Sequence, residues 1–334
     1  MLMSILSSLV ALSRLHLPQV RLASMFVVLV LALVAGHIAA HRLRIREQWA
    51  KKIMTAVLIF FDGPIALLTI WPIRLTGELV WLPTIGLVLM LVLTALSFLV
   101  FRPERFDPET RLTLIIGSAF SNIGYTGAAF VCYALFGATG LAMANIYLLF
   151  SVPAFYIFGL PILKARELRS QNNPPKLNLR FILDPRCLAM PATIAAIILN
   201  LAGVKPVAFL TKFYIVDVLV YIGAAMAFFA IGMQVNLSRL KTYLDLYLPV
   251  AAIKFILTPA LAALFIWLLL LSGQHLTDPL AEVIIVLSAA PCAVLMVTMS
   301  SVFDLNGPLA GALWVVTMAI FAVAVVPVFF FVFA

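Results

Sequence analysis

A run from Leu112 to Phe136 carries no charged residue, yet it gathers Ser118, Ser121, Asn122, Gly124, Thr126 and Gly127 near its middle. A second apolar run, Val286–Ser301, carries Ala290, Pro291 and Cys292, then Thr298, Ser300 and Ser301. Inside a helix glycine is about 1 kcal/mol, and proline about 3 kcal/mol, less favourable than alanine. Each run therefore weakens its own helix. A broken helix frees backbone N–H and C=O groups and presents the partial positive charge of a half-helix N-terminus. The chemistry on offer is the binding of an anion, with freed N–H groups donating to a carboxylate. Asn122 either donates to that carboxylate or holds the two breaks together. Ser121, Tyr125 and Thr126 add further hydrogen-bonding groups, and Pro291, which lacks an N–H, leaves a carbonyl free. The candidate substrate-binding residues are Ser121, Asn122, Gly124, Tyr125, Thr126, Gly127, Ala290, Pro291 and Cys292. Asn122 ranks above Tyr125, because an aromatic in an apolar run is more often core. The competing reading is packing, since small residues let helices approach and prolines kink membrane helices.

Two charges lie well inside apolar runs, Asp62 in IFFDGPIALL and Lys254 in AAIKFILTPALAALF. An ionisable residue at membrane depth is a functional candidate by default. Asp62 is a candidate for carrying a coupling proton or sensing sodium; the alternative is a cap on a local kink beside Gly63 and Pro64. For Lys254, snorkelling of its long stem to the interface is the favoured reading. The sharper alternatives are attraction of an anion from the cytoplasm or pairing with Asp62. His37 and His41 have i, i+4 spacing but no carboxylate beside them, so no metal is assigned.

The elements that must position these residues follow from composition. The chain has 334 residues, of which 65% are hydrophobic and 10% charged, with mean hydropathy +1.17. That describes an all-α polytopic membrane protein. The formal net charge of +9 does not point to nucleic acid, because the charges sit in short loops between apolar runs. Cys132, Cys187 and Cys292 are too few and too scattered for a disulfide framework or zinc site. Ten spans are expected, at about 22–41, 51–73, 80–101, 112–137, 139–165, 186–203, 212–235, 247–272, 280–303 and 308–333. The loops after odd-numbered spans hold most of the Lys and Arg, including Arg42, Arg44, Arg46, Arg102, Arg105, Arg166, Arg169 and Lys176. By the positive-inside rule those loops face the cytoplasm and both termini face out. A polar segment with an Asn-Asn-Pro-Pro core divides the spans five and five. Five is odd, so the second half starts from the opposite side, as in many secondary transporters. The organisation is then an N-terminal extension over 1–21, a first five-helix repeat over 22–165, a cytoplasmic linker over 166–185 and a second, inverted repeat over 186–334. An interfacial helix is preferred for the extension over a signal-like segment or an upstream start. SVPAFYIFG in the fifth span and VVPVFFFVFA in the tenth close the two halves in a similar way. The two weak points fall in spans 4 and 9, matching places in the two halves.

These residues resemble a known family. Asn122, Gly124 and Gly127 look like the Asn-x-Gly-Phe-x-Gly-x-Pro motif of the auxin efflux carrier family. AAPCAVLMVTMSSVFDLN (Ala289–Asn306) is similar to that family's Ala-Ala-Pro segment. LVAGHIAAHRLRIREQWAKKIMTAVLIFFDGPIALL (Leu33–Leu68) and AAIKFILTPALAALF (Ala251–Phe265) resemble its first two spans and its eighth. The resemblance covers about 22–334. One departure is Ala129, where the family has proline. The resemblance implies ten transmembrane helices in two inverted five-helix repeats, with discontinuous helices crossing in spans 4 and 9. It also implies transport of small organic anions such as auxin, malate or malonate, as in the bacterial permease-like and plant members.

The expected function is a secondary transporter moving a small carboxylate by alternating access, with efflux favoured, in a cell inner (plasma) membrane. Its partners are that anion and the lipid bilayer; a homodimer is left open, no cofactor is expected, and coupling to H+ or Na+ is open. The alternatives are a sodium-coupled symporter of the bile acid type, an anion channel and a transporter-fold sensor. An enzyme is disfavoured by the lack of paired carboxylates, GxSxG or His-Glu-x-x-His.

Overall fold

The structure, a computed structural model, describes residues 18–42, 48–124, 126–154, 188–206, 214–234, 237–294, 296–297 and 305–333. The expected linker over 166–185, most of the expected extension, and Tyr125, Thr298, Ser300 and Ser301 lie outside them. The described residues form ten helices and no sheet. We number them α1 (Pro18–His41), α2 (Gln48–Ile70), α3 (Trp81–Val100), α4 (Pro108–Ala119), α5 (Ala128–Ala154), α6 (Ala189–Leu201), α7 (Ile215–Gln234), α8 (Leu244–Leu271), α9 (Leu280–Ser288) and α10 (Gly307–Phe333).

Seven of these, α1, α2, α3, α5, α7, α8 and α10, are long and apolar enough to cross a membrane. The chain is a multi-pass integral membrane protein. Three of the ten expected spans are not continuous helices of that length. The fourth is split between α4 and the start of α5, the ninth is interrupted after Ser288 and is helical again at Val294, and α6 has 13 residues. The breaks in the fourth and ninth fall where Asn122–Gly127 and Pro291 sit. α5 is kinked at Gly137, whose φ of 66° suits glycine; the expected boundary between spans four and five lies there.

Local sequence explains the helix ends and registers. Asp107 caps α4 by accepting a hydrogen bond from the Thr110 N–H at 2.9 Å, with Pro108 following. Asn306 caps α10 through the Leu309 N–H at 3.1 Å. Three helices contain a π turn, at Leu58–Asp62 in α2, Ile253–Leu257 in α8 and Phe321–Val325 in α10. Such turns are frequent at functional sites, and the first two hold Asp62 and Lys254. The backbones of α1 and α7 touch, since a Cβ on Gly36 would lie 2.0 Å from the Phe229 carbonyl and one on Gly232 2.1 Å from that of Leu33. Small residues permit such approach in membranes.

Polar contacts sort the helix ends onto two faces. On one, the Asn200 side chain donates to the Trp71 and Ile73 carbonyls, joining the ends of α6 and α2. The Trp71 ring N–H donates to the Val204 carbonyl. There too the Glu78 carboxylate, just before α3, accepts from the Thr277 N–H and hydroxyl, between α8 and α9. On the other face, Arg111 of α4 donates to the Phe101 carbonyl after α3. Asn306, at the start of α10, bonds the Thr110 and Thr113 hydroxyls.

Candidate functional site

The two interrupted segments run antiparallel and meet at their breaks. Ser121 and Cys292 form an antiparallel bridge. The Asn122 N–H donates to the Pro291 carbonyl at 2.7 Å, and the Ala293 N–H donates to the Phe120 carbonyl at 3.2 Å. Backbone groups that lipid cannot satisfy are thus satisfied by each other. The Pro291 carbonyl, expected to be free, is engaged by Asn122. The Cys292 N–H donates to the Thr317 hydroxyl, and its thiol reaches the Gly117 carbonyl at 3.1 Å, which ties the crossing to α10 and α4.

The Asn-x-Gly-x-x-Gly spacing builds a closed loop. The Thr126 hydroxyl donates to Asn122 Oδ1, and Asn122 Nδ2 donates to the Thr126 carbonyl, both at 3.1 Å. Gly127, Ala128 and Ala129 donate their N–H groups to the carbonyls of Gly124, Asn122 and Ile123. The N-terminus of α5 is therefore capped by its own loop. This corrects the expectation that those N–H groups stand open for a carboxylate; the tight turn brings carbonyls of the same loop within reach first. Gly127 is required sterically, because a Cβ there would lie 2.0 Å from the Asn122 carbonyl oxygen. Gly124 is not, having nothing within 4 Å of its Cβ position.

Positive charge reaches the crossing by another route. Lys254 is 0% exposed. Its ammonium donates to the Phe120 carbonyl at 2.7 Å and to Ser121 Oγ at 2.8 Å. Snorkelling is thereby corrected: the π turn of α8 and the carbonyl exposed by the break hold the amine inside. Both partners are neutral oxygens, and pairing with Asp62 is not seen. Thr258, four residues on, donates both its hydroxyl and its backbone N–H to the Ile253 carbonyl of the π turn.

A cavity of about 190 Å³ adjoins the crossing. Of the sequence candidates, Ser121, Asn122 and Gly124 line it, whereas Thr126, Gly127, Ala290, Pro291, Cys292, Asp62 and Lys254 do not. Most of its wall is apolar, with Leu89, Met90, Leu93, Ile116 and Met296 among the lining residues. Sequence reasoning missed three polar lining residues: Tyr147, Thr258 and Ser288. Only Thr258 had a signal, its i+4 spacing from Lys254. Asp217 was also missed; on α7, it accepts a hydrogen bond from the hydroxyl of Tyr133 in α5. Asp62 stays in the π turn of α2, which packs on α7.

No protein-family model matches the chain, and no match is found among curated proteins.

Proposed function

We propose that this protein is a secondary transporter for a small organic anion, working by alternating access around the crossing. In this reading the chain crosses the membrane ten times as two inverted five-helix repeats, with the discontinuous helices in the fourth and ninth spans. The Lys- and Arg-rich loops face the cytoplasm and both termini face outside a plasma membrane. The sorting of helix ends onto two faces and the antiparallel meeting of the breaks support it. Discontinuous helices near mid-membrane are the usual setting of transporter sites.

The observation that carries the anion is the Lys254 ammonium, buried against the break with two neutral partners beside a cavity. A buried cation without a carboxylate gains from an anion placed nearby. Ser121 passes the charge on, since its oxygen accepts from the ammonium while its hydroxyl proton remains to donate. The cavity lies below the roughly 300–1,000 Å³ of drug-sized sites, so the cargo is small. The ammonium also occupies the carbonyl that a sodium ion would need at the break, which favours transport without sodium.

The test is counterflow in liposomes carrying the purified protein, preloaded with unlabelled small carboxylates and given labelled tracer outside. Saturable tracer accumulation, unchanged when choline replaces sodium, is expected. No accumulation with any carboxylate would overturn the reading; strict dependence on sodium would overturn its ion-independent part.

A further inference from the structure

The described side chains lining the cavity offer few hydrogen-bond donors, and on the anion-transporter reading, from which the inference starts, their number decides what cargo fits. The Thr258 hydroxyl donates to the Ile253 carbonyl and the Ser288 hydroxyl to the Ile285 carbonyl, both at 2.7 Å. Each therefore faces the cavity as an acceptor. The Asn122 amide directs its protons to the Thr126 carbonyl and towards Met318 Sδ. Among the described lining residues, two hydroxyls keep a proton to give. One is Ser121, whose oxygen is already polarised by Lys254. The other is Tyr147, which is 3% exposed and whose hydroxyl makes no hydrogen bond among the described residues. The Tyr147 ring is fixed against Gly86 of α3, where a Cβ would come within 2.9 Å of it.

We propose that the cavity binds a small monocarboxylate with an apolar body, and that Tyr147 is a substrate-binding residue alongside Ser121. One carboxylate has two oxygens, and the described residues give the cavity two free hydroxyl donors with one buried ammonium behind one of them. The body of the substrate meets the aliphatic wall. A dicarboxylate would place its second charge against Leu, Ile and Met side chains or hydroxyls that offer only lone pairs. A buried carboxylate without donors is strongly disfavoured. A hydroxyl or N–H on the substrate body would find acceptors in Thr258 and Ser288.

Isothermal titration of the detergent-purified full chain at neutral pH tests this with butyrate, succinate and butyramide. Butyrate and succinate share a four-carbon skeleton and differ by one carboxylate; butyramide is close in shape but neutral. Butyrate should bind at least roughly tenfold more tightly than either. Tyr147→Phe, which keeps the ring, should weaken butyrate roughly tenfold or more. Succinate binding as tightly as butyrate overturns the monocarboxylate assignment while leaving an anion transporter intact. Unchanged butyrate affinity in Tyr147→Phe overturns the role of Tyr147. If none of the three binds, or butyramide matches butyrate, both this inference and the anion reading fall. The wild-type comparison stands even if the variant does not fold.

Discussion

Replacing Lys254 by methionine separates a functional charge from a structural one. The side chain keeps an unbranched apolar stem as far as Cε, with sulfur in place of one methylene, and loses the ammonium. An anion accepting the Ser121 hydroxyl would lie about 5 Å from that ammonium, since Nζ is 2.8 Å from Ser121 Oγ and one more O–H···O bond spans about 2.7 Å. At an effective dielectric of about 20, two unit charges about 5 Å apart interact by about 3 kcal/mol. That corresponds to about a hundredfold in Kd. Folding should respond differently. Two hydrogen bonds from a charged donor are lost, about 1.5–3 kcal/mol each, but so is a desolvation penalty of several kcal/mol. The Phe120 carbonyl keeps the Ala293 N–H. The net change in stability should stay within about 2 kcal/mol. Titration calorimetry with a counterflow substrate, beside ligand-free thermal unfolding, reads both quantities. An unchanged Kd would refute the anion role of Lys254. Failure to recover folded Lys254→Met protein would show that the amine holds the crossing together instead.

Other outcomes follow from the same geometry. Gly127→Ala should lower the unfolding midpoint, by about 1–3 kcal/mol or more of overpacking against the Asn122 carbonyl, while Gly124→Ala should leave it nearly unchanged; equal effects would contradict the loop geometry. Asn122→Ala removes the reciprocal pair with Thr126 and should cost about 1–3 kcal/mol along with anion binding. Normal stability and normal transport in that variant would take Asn122 out of the site. The Thr110 N–H holds the Asp107 carboxylate below its ordinary range. Its cap is therefore at full strength above the unfolded carboxylate pKa and is lost as pH falls through the lower folded value. Discounted for exposure, the acid-side loss should be about 0.5 kcal/mol below about pH 4, and it should be absent in Asp107→Asn on thermal unfolding at pH 3 and 7.

Periodicity and composition made the apolar helices legible, since a run of about 20 apolar residues has few other uses. The breaks were legible as well, because Gly127 and Pro291 are written in the chain. What those breaks do with their polar groups was not. Whether the N-terminus of α5 stays open or closes on its own loop depends on a carbonyl 2.0 Å from where a Cβ would be, and no spacing rule encodes that. Lys254 was visible as an intramembrane charge, but its direction depends on the π turn at Ile253–Leu257, whose sequence IKFIL carries no mark of it. Tyr147 sits in AMANIYLLF and reads as an ordinary core aromatic. Its significance comes from the cavity on which its side chain opens, a property of α3, α4, α5, α8 and α9 together.

A helix break within a membrane is disfavoured unless its freed groups are satisfied, and the pattern of satisfaction separates a packing kink from a binding site. A kink settles every group locally. Here the backbone groups at the crossing are settled by the strand-like pairing of Phe120–Asn122 with Pro291–Ala293 and by the loop closed through Thr126. The lining side chains divide otherwise. Thr258, Ser288 and Asn122 have given their protons to neighbouring groups, whereas Tyr147 and Ser121 still hold theirs, Ser121 against the buried Lys254 ammonium. Packing alone would gain by replacing Ser121, Tyr147 and Lys254 with apolar residues of similar shape. The proposed anion would give the Ser121 and Tyr147 hydroxyls an acceptor in the cavity and the ammonium behind Ser121 a counter-charge.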